Sequence, residues 1–257
     1  MANAEELYKK ILSEAEKDNN IIGFWLDGSR GKGMVTVDSD YDCKMVVKDG
    51  KEEEYREKYK TKHNAGVDIG VMSLTEFMQY AAWGSRTHWD RYNFSHLVAA
   101  VDKNGEIQKL INEKGSVPSD KIRENVEFWL HAYLNKFYRS LKCFRDNNIV
   151  GARFEAAESI AAFLEAIFTK EGRQRPYYKY LEFELERYPL KESPFDSKLL
   201  GPNLLKILTD GDLLLQKEIF KWAEKTFKKN GYGEVFNEWQ GIFYLARSEG
   251  HVNRIIR

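Results

Sequence analysis

The chain has few cysteines, no net charge and no long apolar run. Its 257 residues include two cysteines, and 40 basic residues balance 40 acidic ones. Two cysteines without metal-ligand spacing argue against a disulfide framework and a zinc centre, and we expect both thiols to stay reduced. A balanced charge disfavours a long polyanion such as duplex DNA, so we do not expect a nucleic-acid partner.

No apolar stretch approaches the roughly 20 residues that a transmembrane helix needs. The first residues also lack the basic region and apolar stretch of a signal peptide. We therefore expect a cytoplasmic protein with no membrane partner. The apolar share of 42% is sufficient for a core, and the length fits one large domain or two smaller ones.

Two acidic residues open one of the predicted strands. Three short apolar segments are predicted to be strands: residues 21–27, 41–47 and 67–73. The first segment is followed by Gly28 and Ser29, and the second opens with Asp40 and Asp42. Because successive strand side chains alternate faces, the two aspartates would point the same way, about 7 Å apart. Such a pair suits a hard divalent cation. The alternative is a polar hairpin with a solvated strand end, although aspartate is disfavoured in strands.

A third acid interrupts the third apolar segment. Asp68 stands between Val67 and Ile69, in an otherwise apolar stretch. It could serve as a metal ligand, as a general base, or as both. A strand-end charge paired with a lysine is the alternative.

This arrangement resembles the signature of the DNA-polymerase-β-like nucleotidyltransferases: an apolar strand ending in Gly-Ser, a gap of ten residues, and an Asp-x-Asp strand start. The resemblance implies that Gly28 and Ser29 hold the terminal phosphates of ATP or another NTP. It also implies that Asp40 and Asp42 hold two Mg²⁺ ions. The superfamily places a third acid on a neighbouring strand, and Asp68 is the residue in that position.

Basic and aromatic residues near the motif have two open interpretations. Arg30 and Lys32 follow the Gly-Ser turn, where they would contact phosphates or form a solvated basic loop. A second cluster would either line a pocket or pack inside the protein; it comprises Trp83, His88, Trp89, Arg91, Tyr92 and His96.

The helical pattern divides the chain into two halves. A helix over 4–18 precedes the strands, and a charged turn with a solvated helix or arm covers 48–63. Ser73 and Glu76 have capping-box spacing.

Residues 115–120 form the best linker candidate. Beyond it, apolar residues recur every three or four positions and predict helices over 126–144, 154–168, 199–209, 212–229 and 234–248. The predicted fold class is α+β, with a nucleotidyltransferase α/β domain containing a small mixed sheet over 1–115 and an α-helical bundle over 121–257.

This two-part plan resembles small antibiotic nucleotidyltransferases that modify aminoglycosides or lincosamides. The resemblance implies that the helical half binds the acceptor and that a glutamate there, Glu155 or Glu158, deprotonates its hydroxyl, with plain surface charge as the alternative. The predicted function is Mg²⁺-dependent transfer of NMP, most simply AMP from ATP, to a small-molecule hydroxyl. The expected partners are the nucleotide and the acceptor, with the chain a monomer or homodimer. AMP transfer to a protein, as in toxin–antitoxin nucleotidyltransferases, and nucleotide binding without turnover are the alternatives.

Overall fold

The computed structural model describes residues 2–60 and 66–247. The chain divides into two compact units between Pro118 and Ser119. The predicted α+β fold class is confirmed, because the first unit contains a small mixed sheet and the second is built from helices. The catalytic and acceptor-binding labels for residues 1–115 and 121–257 stay predictions.

The first unit intersperses short strands with helices. In chain order it contains α1 (Ala2–Lys17), β1 (Ile21–Leu26), α2 (Gly28–Gly31), β2 (Tyr41–Val47), α3 (Glu52–Tyr59), β3 (Val67–Ser73), α4 (Leu74–Gln79), a 3₁₀ segment (His88–Phe94), β4 (Val101–Asp102) and α5 (Glu106–Gly115). The predicted strands are present, and the predicted capping box is formed by Ser73 and Glu76 at the start of α4.

The sheet has the strand order β3-β2-β1-β4. β1 pairs antiparallel with both β2 and β4, whereas β2 and β3 run parallel. A parallel pair needs a crossover connection, and α3 lies within the one that joins β2 to β3. The parallel pairing places the start of β2 beside the start of β3, which is where both acidic segments lie.

Each face of the sheet has its own apolar core. On one face, Phe24, Cys43 and Met45 pack in a cluster with residues of α1 and α3. On the other face, Trp25 and Val46 pack in a cluster with residues of α4 and α5. Because both faces are largely covered, the acidic side chains of the sheet lie at its strand ends.

The helix after β2 is more buried than its charge predicts. The segment 48–63 is predicted to be solvated, yet Tyr55 and Tyr59 of α3 are buried against the sheet. Their spacing of four residues puts both rings on one helix face, while the charged residues occupy the other. Residues 61–63 of the predicted segment lie outside the described residues.

The second unit is helical. Its elements are a 3₁₀ turn (Ser119–Lys121), α6 (Ile122–Arg145), α7 (Ile149–Lys170), a 3₁₀ turn (Tyr178–Tyr180), α8 (Leu181–Arg187), α9 (Ser197–Asp210), α10 (Leu213–Lys229), α11 (Gly233–Glu238), a 3₁₀ turn (Gln240–Ile242) and α12 (Tyr244–Arg247). None of the helices described in either unit combines the length and apolar character needed to cross a membrane.

Two predictions for the helical half are wrong in detail. Phe154 is the first residue of the apolar pattern that predicts the helix over 154–168, but it is 70% exposed. The buried stripe of α7 instead runs through Ala152, Ala156 and Ile160. The predicted helix over 234–248 is interrupted between α11 and α12. Gly241, a weak helix former, lies at this interruption. Residue 248 lies outside the described residues.

Candidate active site

The end of β1 and the start of β2 meet at a single turn of helix. The Asp27 N–H donates to the Asp42 carbonyl at 2.8 Å, and the chain then enters α2 at Gly28. Gly28 has a φ of +57°, in the left-handed region that favours glycine. A Cβ at this position would lie 2.6 Å from Asp42 Oδ2. The predicted Gly-Ser turn is therefore a helical turn whose glycine lets the backbone approach the Asp42 carboxylate.

Asp42 and Asp68 are direct neighbours across the parallel strand pair. Adjacent strands are about 4.8 Å apart, so the two side chains leave the same face at close range. Asp42 is half-buried and Asp68 is exposed. Asp40 is exposed and lies one residue before β2, which begins at Tyr41, so the prediction that it opens the strand itself is off by one residue.

Mutual repulsion among these acids acts on the pKa of Asp42. Burial raises the pKa of the Asp42 carboxyl, and the nearby charges of Asp40, Asp27 and Asp68 raise it further, while Lys44 acts in the opposite direction. Concentrated negative charge at a half-buried carboxylate is the setting that a divalent cation relieves.

Asp27 is a fourth acid that the pattern did not identify. It is the last residue before Gly28, and its side chain is 14% exposed. Burial raises the pKa of Asp27, and Lys44 partly offsets this effect. Its Oδ1 atom is buried and has no hydrogen-bond partner among the described residues. The signal in the sequence is a lone carboxylate between an apolar strand and the glycine turn.

The described residues hold no preassembled metal cage, since no three His, Cys, Asp or Glu side chains among them converge on one metal position. Protein-bound Mg²⁺ is commonly held by one or two carboxylates, with phosphate oxygens and waters completing its shell. The oxygen donors of Asp40 and Asp42 and the unpartnered oxygen of Asp27 fit that mode of binding.

No protein-family model and no curated protein matches the chain. Among solved structures, the chain is similar to a nucleotidyltransferase-like protein from Exiguobacterium sibiricum 255-15. The similarity covers 91% of this chain and 74% of that protein, at 12% sequence identity and a TM-score of 0.41. These values are too low to support a conclusion about activity.

Ser29 belongs to a network of hydroxyl groups in the loop between α2 and β2. Its Oγ donates to Ser39 Oγ at 3.1 Å, and its carbonyl accepts from the Met34 N–H at 2.7 Å. Ser39 Oγ also accepts from the Thr36 N–H at 2.9 Å. The predicted phosphate contact of Ser29 stays a prediction, and it requires the hydroxyl to turn from Ser39 toward the ligand.

Arg30 holds the backbone that carries Asp40. Its Nε donates to the Asp40 carbonyl at 2.8 Å, and its Nη2 donates to the Ser39 carbonyl at 2.7 Å. The guanidinium also lies 3.9 Å from the centre of the Tyr41 ring, a cation–π contact. These contacts give Arg30 a positioning role that the sequence pattern does not show.

The predicted phosphate contact of Lys32 is wrong. It is buried, and its Nζ donates to the carbonyls of Tyr92, Asn93 and Ser95 at 3.0, 3.0 and 2.8 Å. An ammonium has three N–H donors, so these three carbonyls occupy all of them. Lys32 therefore anchors the loop to the 3₁₀ segment instead of offering a charge to phosphate.

The aromatic–polar cluster divides between the interior and the surface. Arg91 and Tyr92 are buried, and Arg91 donates to the Ala81 carbonyl at 2.8 Å and to the Ser116 carbonyl at 2.7 Å. Trp89, by contrast, is 69% exposed. Packing is therefore the role of the arginine and tyrosine, whereas most of the Trp89 side chain faces solvent.

Glu155 belongs to the second unit, on α7. It is half-buried, with Oε1 at 3.6 Å from Arg139 Nη1. Glu158 is more exposed and lies 2.7 Å from Lys136 Nζ. Each glutamate thus has a cationic partner within its own unit, and the predicted role of Glu155 as a base stays a prediction.

Proposed function

We propose that the protein is a Mg²⁺-dependent nucleotidyltransferase that moves AMP from ATP, or NMP from another NTP, to a hydroxyl of a small molecule. The observation that supports this proposal is the register of β2 and β3, which pairs Asp42 with Asp68 beside the Gly28 turn. Carboxylates from separate segments repel one another at this glycine turn, which destabilises the fold. A merely structural strand end would gain nothing from that repulsion.

Each acid has a role in the proposed reaction. Asp40 and Asp42 would hold the cations, and the Asp27 carboxylate would add negative charge from the end of β1. Bound Mg²⁺ would offset the charge that develops on the attacking and leaving oxygens. The backbone N–H groups of the Gly28 turn would face the phosphates, since the start of a helical turn presents such donors.

The proposed transfer balances without a further reagent. The acceptor oxygen forms a bond to the α-phosphorus, and the bond from that phosphorus to the bridging oxygen of the β-phosphate breaks. Pyrophosphate leaves with the bonding electron pair. Asp68, exposed and adjacent to Asp42, is our candidate to take the acceptor proton.

A small-molecule acceptor of the aminoglycoside or lincosamide type is the finer part of the proposal. The zero net charge provides no general attraction for RNA. Cationic acceptors would be drawn to the excess of carboxylates around Asp42. Transfer to a protein and binding without turnover remain the competing functions, and the assay below separates them.

The test is transfer of α-³²P-labelled nucleotide to a panel of aminoglycosides, lincosamides, proteins and tRNA, with and without Mg²⁺. We expect label on a small molecule with wild type, and a rate lowered at least about 10³-fold by Asp40→Asn or Asp42→Asn. Asp38→Asn is the matched control, because Asp38 is exposed in the same loop. Label only on protein or tRNA would overturn the acceptor class, and nucleotide binding without any labelled product would favour the inactive binder.

A further inference from the structure

Lys44 is a basic residue beside the acidic strand ends that is not held by backbone carbonyls. It lies on β2 two residues after Asp42, so the two side chains share one face of the sheet. Its Nζ is 3.8 Å from Asp27 Oδ2, and its side chain is 34% exposed. The ammonium is therefore close to the acids and still reachable from solvent.

Gly70 makes room for this lysine. It is the direct partner of Lys44 on β3. A Cβ at Gly70 would lie 3.0 Å from Lys44 Nζ and 3.1 Å from its Cδ. Gly70 is not among the glycines with positive φ, so the backbone conformation does not require glycine there. What the glycine provides is space for the lysine side chain across the neighbouring strand.

The donors of Lys44 are unfilled within the described structure. Its distance of 3.8 Å to Asp27 is an ion-pair distance, longer than a hydrogen bond. No hydrogen bond from its ammonium is formed with any other described residue. Lys32 differs in this respect, because three carbonyls take all of its donors. A partly buried ammonium with unfilled donors is suited to bind an anionic oxygen.

We propose that Lys44 is a phosphate-binding residue of this site, with its ammonium donating to the phosphate chain of the nucleotide and Asp27 holding it in place. The inference rests on the proposed function. A polyphosphate that approaches Asp40, Asp42 and Asp68 meets like charge, and a fixed cation on the same face offsets part of that repulsion.

A role as counter-ion alone makes a different prediction. If Lys44 only neutralises the acids, its removal makes the site more negative, which tightens Mg²⁺ binding in the absence of nucleotide and weakens the binding of AMP, ADP and ATP in graded steps that follow their charge. If Lys44 contacts phosphate, the loss of affinity appears in one step, at the phosphate that the ammonium contacts. The nucleoside, which carries none, would bind as before.

The experiment is isothermal titration calorimetry of ATP, ADP, AMP and adenosine at saturating Mg²⁺, with wild type, Lys44→Met, Lys44→Arg and the control Lys48→Met. Lys48 is exposed and directly follows β2, so the control removes the same charge from the surface. We expect Lys44→Met to weaken ATP binding at least about tenfold with adenosine unchanged, since hydrogen bonds to charged groups have that magnitude. Lys44→Arg should retain most of the affinity.

The outcomes separate this inference from the function it rests on. Wild type that binds ATP, with Lys44→Met binding ATP equally well or losing ATP and adenosine to the same extent, would overturn only the role of Lys44. A loss of affinity that grows evenly from AMP to ADP to ATP, with tighter Mg²⁺ binding in the absence of nucleotide, would also overturn that role. Wild type that binds no nucleotide would overturn the proposed function and this inference with it. Should Lys44→Met not fold, as judged by its thermal melt, Lys44→Gln is measured instead, because its side chain is polar and uncharged and only one atom shorter.

Discussion

The raised pKa of Asp42 predicts that this carboxylate lowers the stability of the folded protein at neutral pH. Burial and the charges of Asp40, Asp27 and Asp68 raise the pKa of its carboxyl above the ordinary value. A carboxyl with a raised pKa binds its proton more tightly in the folded state than in the unfolded state. The free energy of unfolding therefore falls as the pH rises above the ordinary carboxyl range and through the raised pKa.

We expect Asp42→Asn to melt at a higher temperature than wild type at pH 7 without divalent cations, because the substitution removes the buried charge. The difference should narrow as the pH falls through the raised pKa of Asp42, because the native carboxyl is then itself protonated. Added Mg²⁺ should raise the melting temperature of wild type and leave that of Asp42→Asn nearly unchanged. Thermal melts followed by circular dichroism measure all three effects, with Asp38→Asn as control; a variant that melts below wild type at pH 7 would contradict the assignment.

Arg30 is expected to act on the metal through the backbone of Asp40. Arg30→Met and Arg30→Lys should both raise the Mg²⁺ concentration needed for half-maximal binding, because neither side chain reproduces the fork that holds the Ser39 and Asp40 carbonyls. A role in phosphate binding would instead let lysine substitute for arginine. Titration of Mg²⁺ by calorimetry distinguishes the two, and a wild-type Mg²⁺ affinity in Arg30→Lys would show that positioning is not its role.

At the scale of elements, two buried cations organise the connection that follows α4. Lys114 of α5 donates to the carbonyls of Met78 and Tyr80 at 3.1 and 2.6 Å. Arg91 donates to the Ala81 carbonyl at 2.8 Å. The buried cations satisfy carbonyls that strand or helix pairing would otherwise satisfy. Burial, followed by the charge of Arg91, lowers the pKa of Lys114 to about 8.

This lowered pKa predicts an unusual dependence of stability on pH. Between pH 8 and 10.5 the unfolded chain keeps the Lys114 proton while the folded chain has lost it, so the contribution of Lys114 to stability rises with pH. We expect the melting temperature of wild type, relative to Lys114→Met, to rise across this window and to be constant below it. Lys109→Met, at an exposed position of α5, should show no such trend. A flat difference from pH 7 to 10 would contradict the assigned pKa.

At the scale of the whole molecule, each unit has its own interior. The first unit packs apolar side chains on both faces of its sheet. The second forms one large cluster from α6, α7, α9 and α10 with the shorter helices. In both units the buried residues recur with the period of the element that carries them, which is why β1, β2, β3 and the longer helices of the second unit could be predicted from the pattern alone. The short strand β4 was not predicted.

The sequence by itself determined the local features of this protein. The alternation of Asp40 and Asp42, the glycine turn at Gly28 and the capping box at Ser73 all depend on residues within a few positions of one another. Backbone geometry relates such residues directly. Local periodicity also predicted one continuous helix over 234–248, which the structure interrupts at Gly241.

The tertiary structure decided which charged residues are available for chemistry. Lys32 reaches carbonyls at Tyr92, 60 residues further along the chain, so no local pattern could show that its donors are occupied. The space for Lys44 is likewise created by Gly70 on another strand, and the burial of Asp27 depends on what packs around the end of β1. The sequence shows which side chains are charged. Their desolvation and their partners depend on the three-dimensional surroundings, which exist only when distant segments pack together.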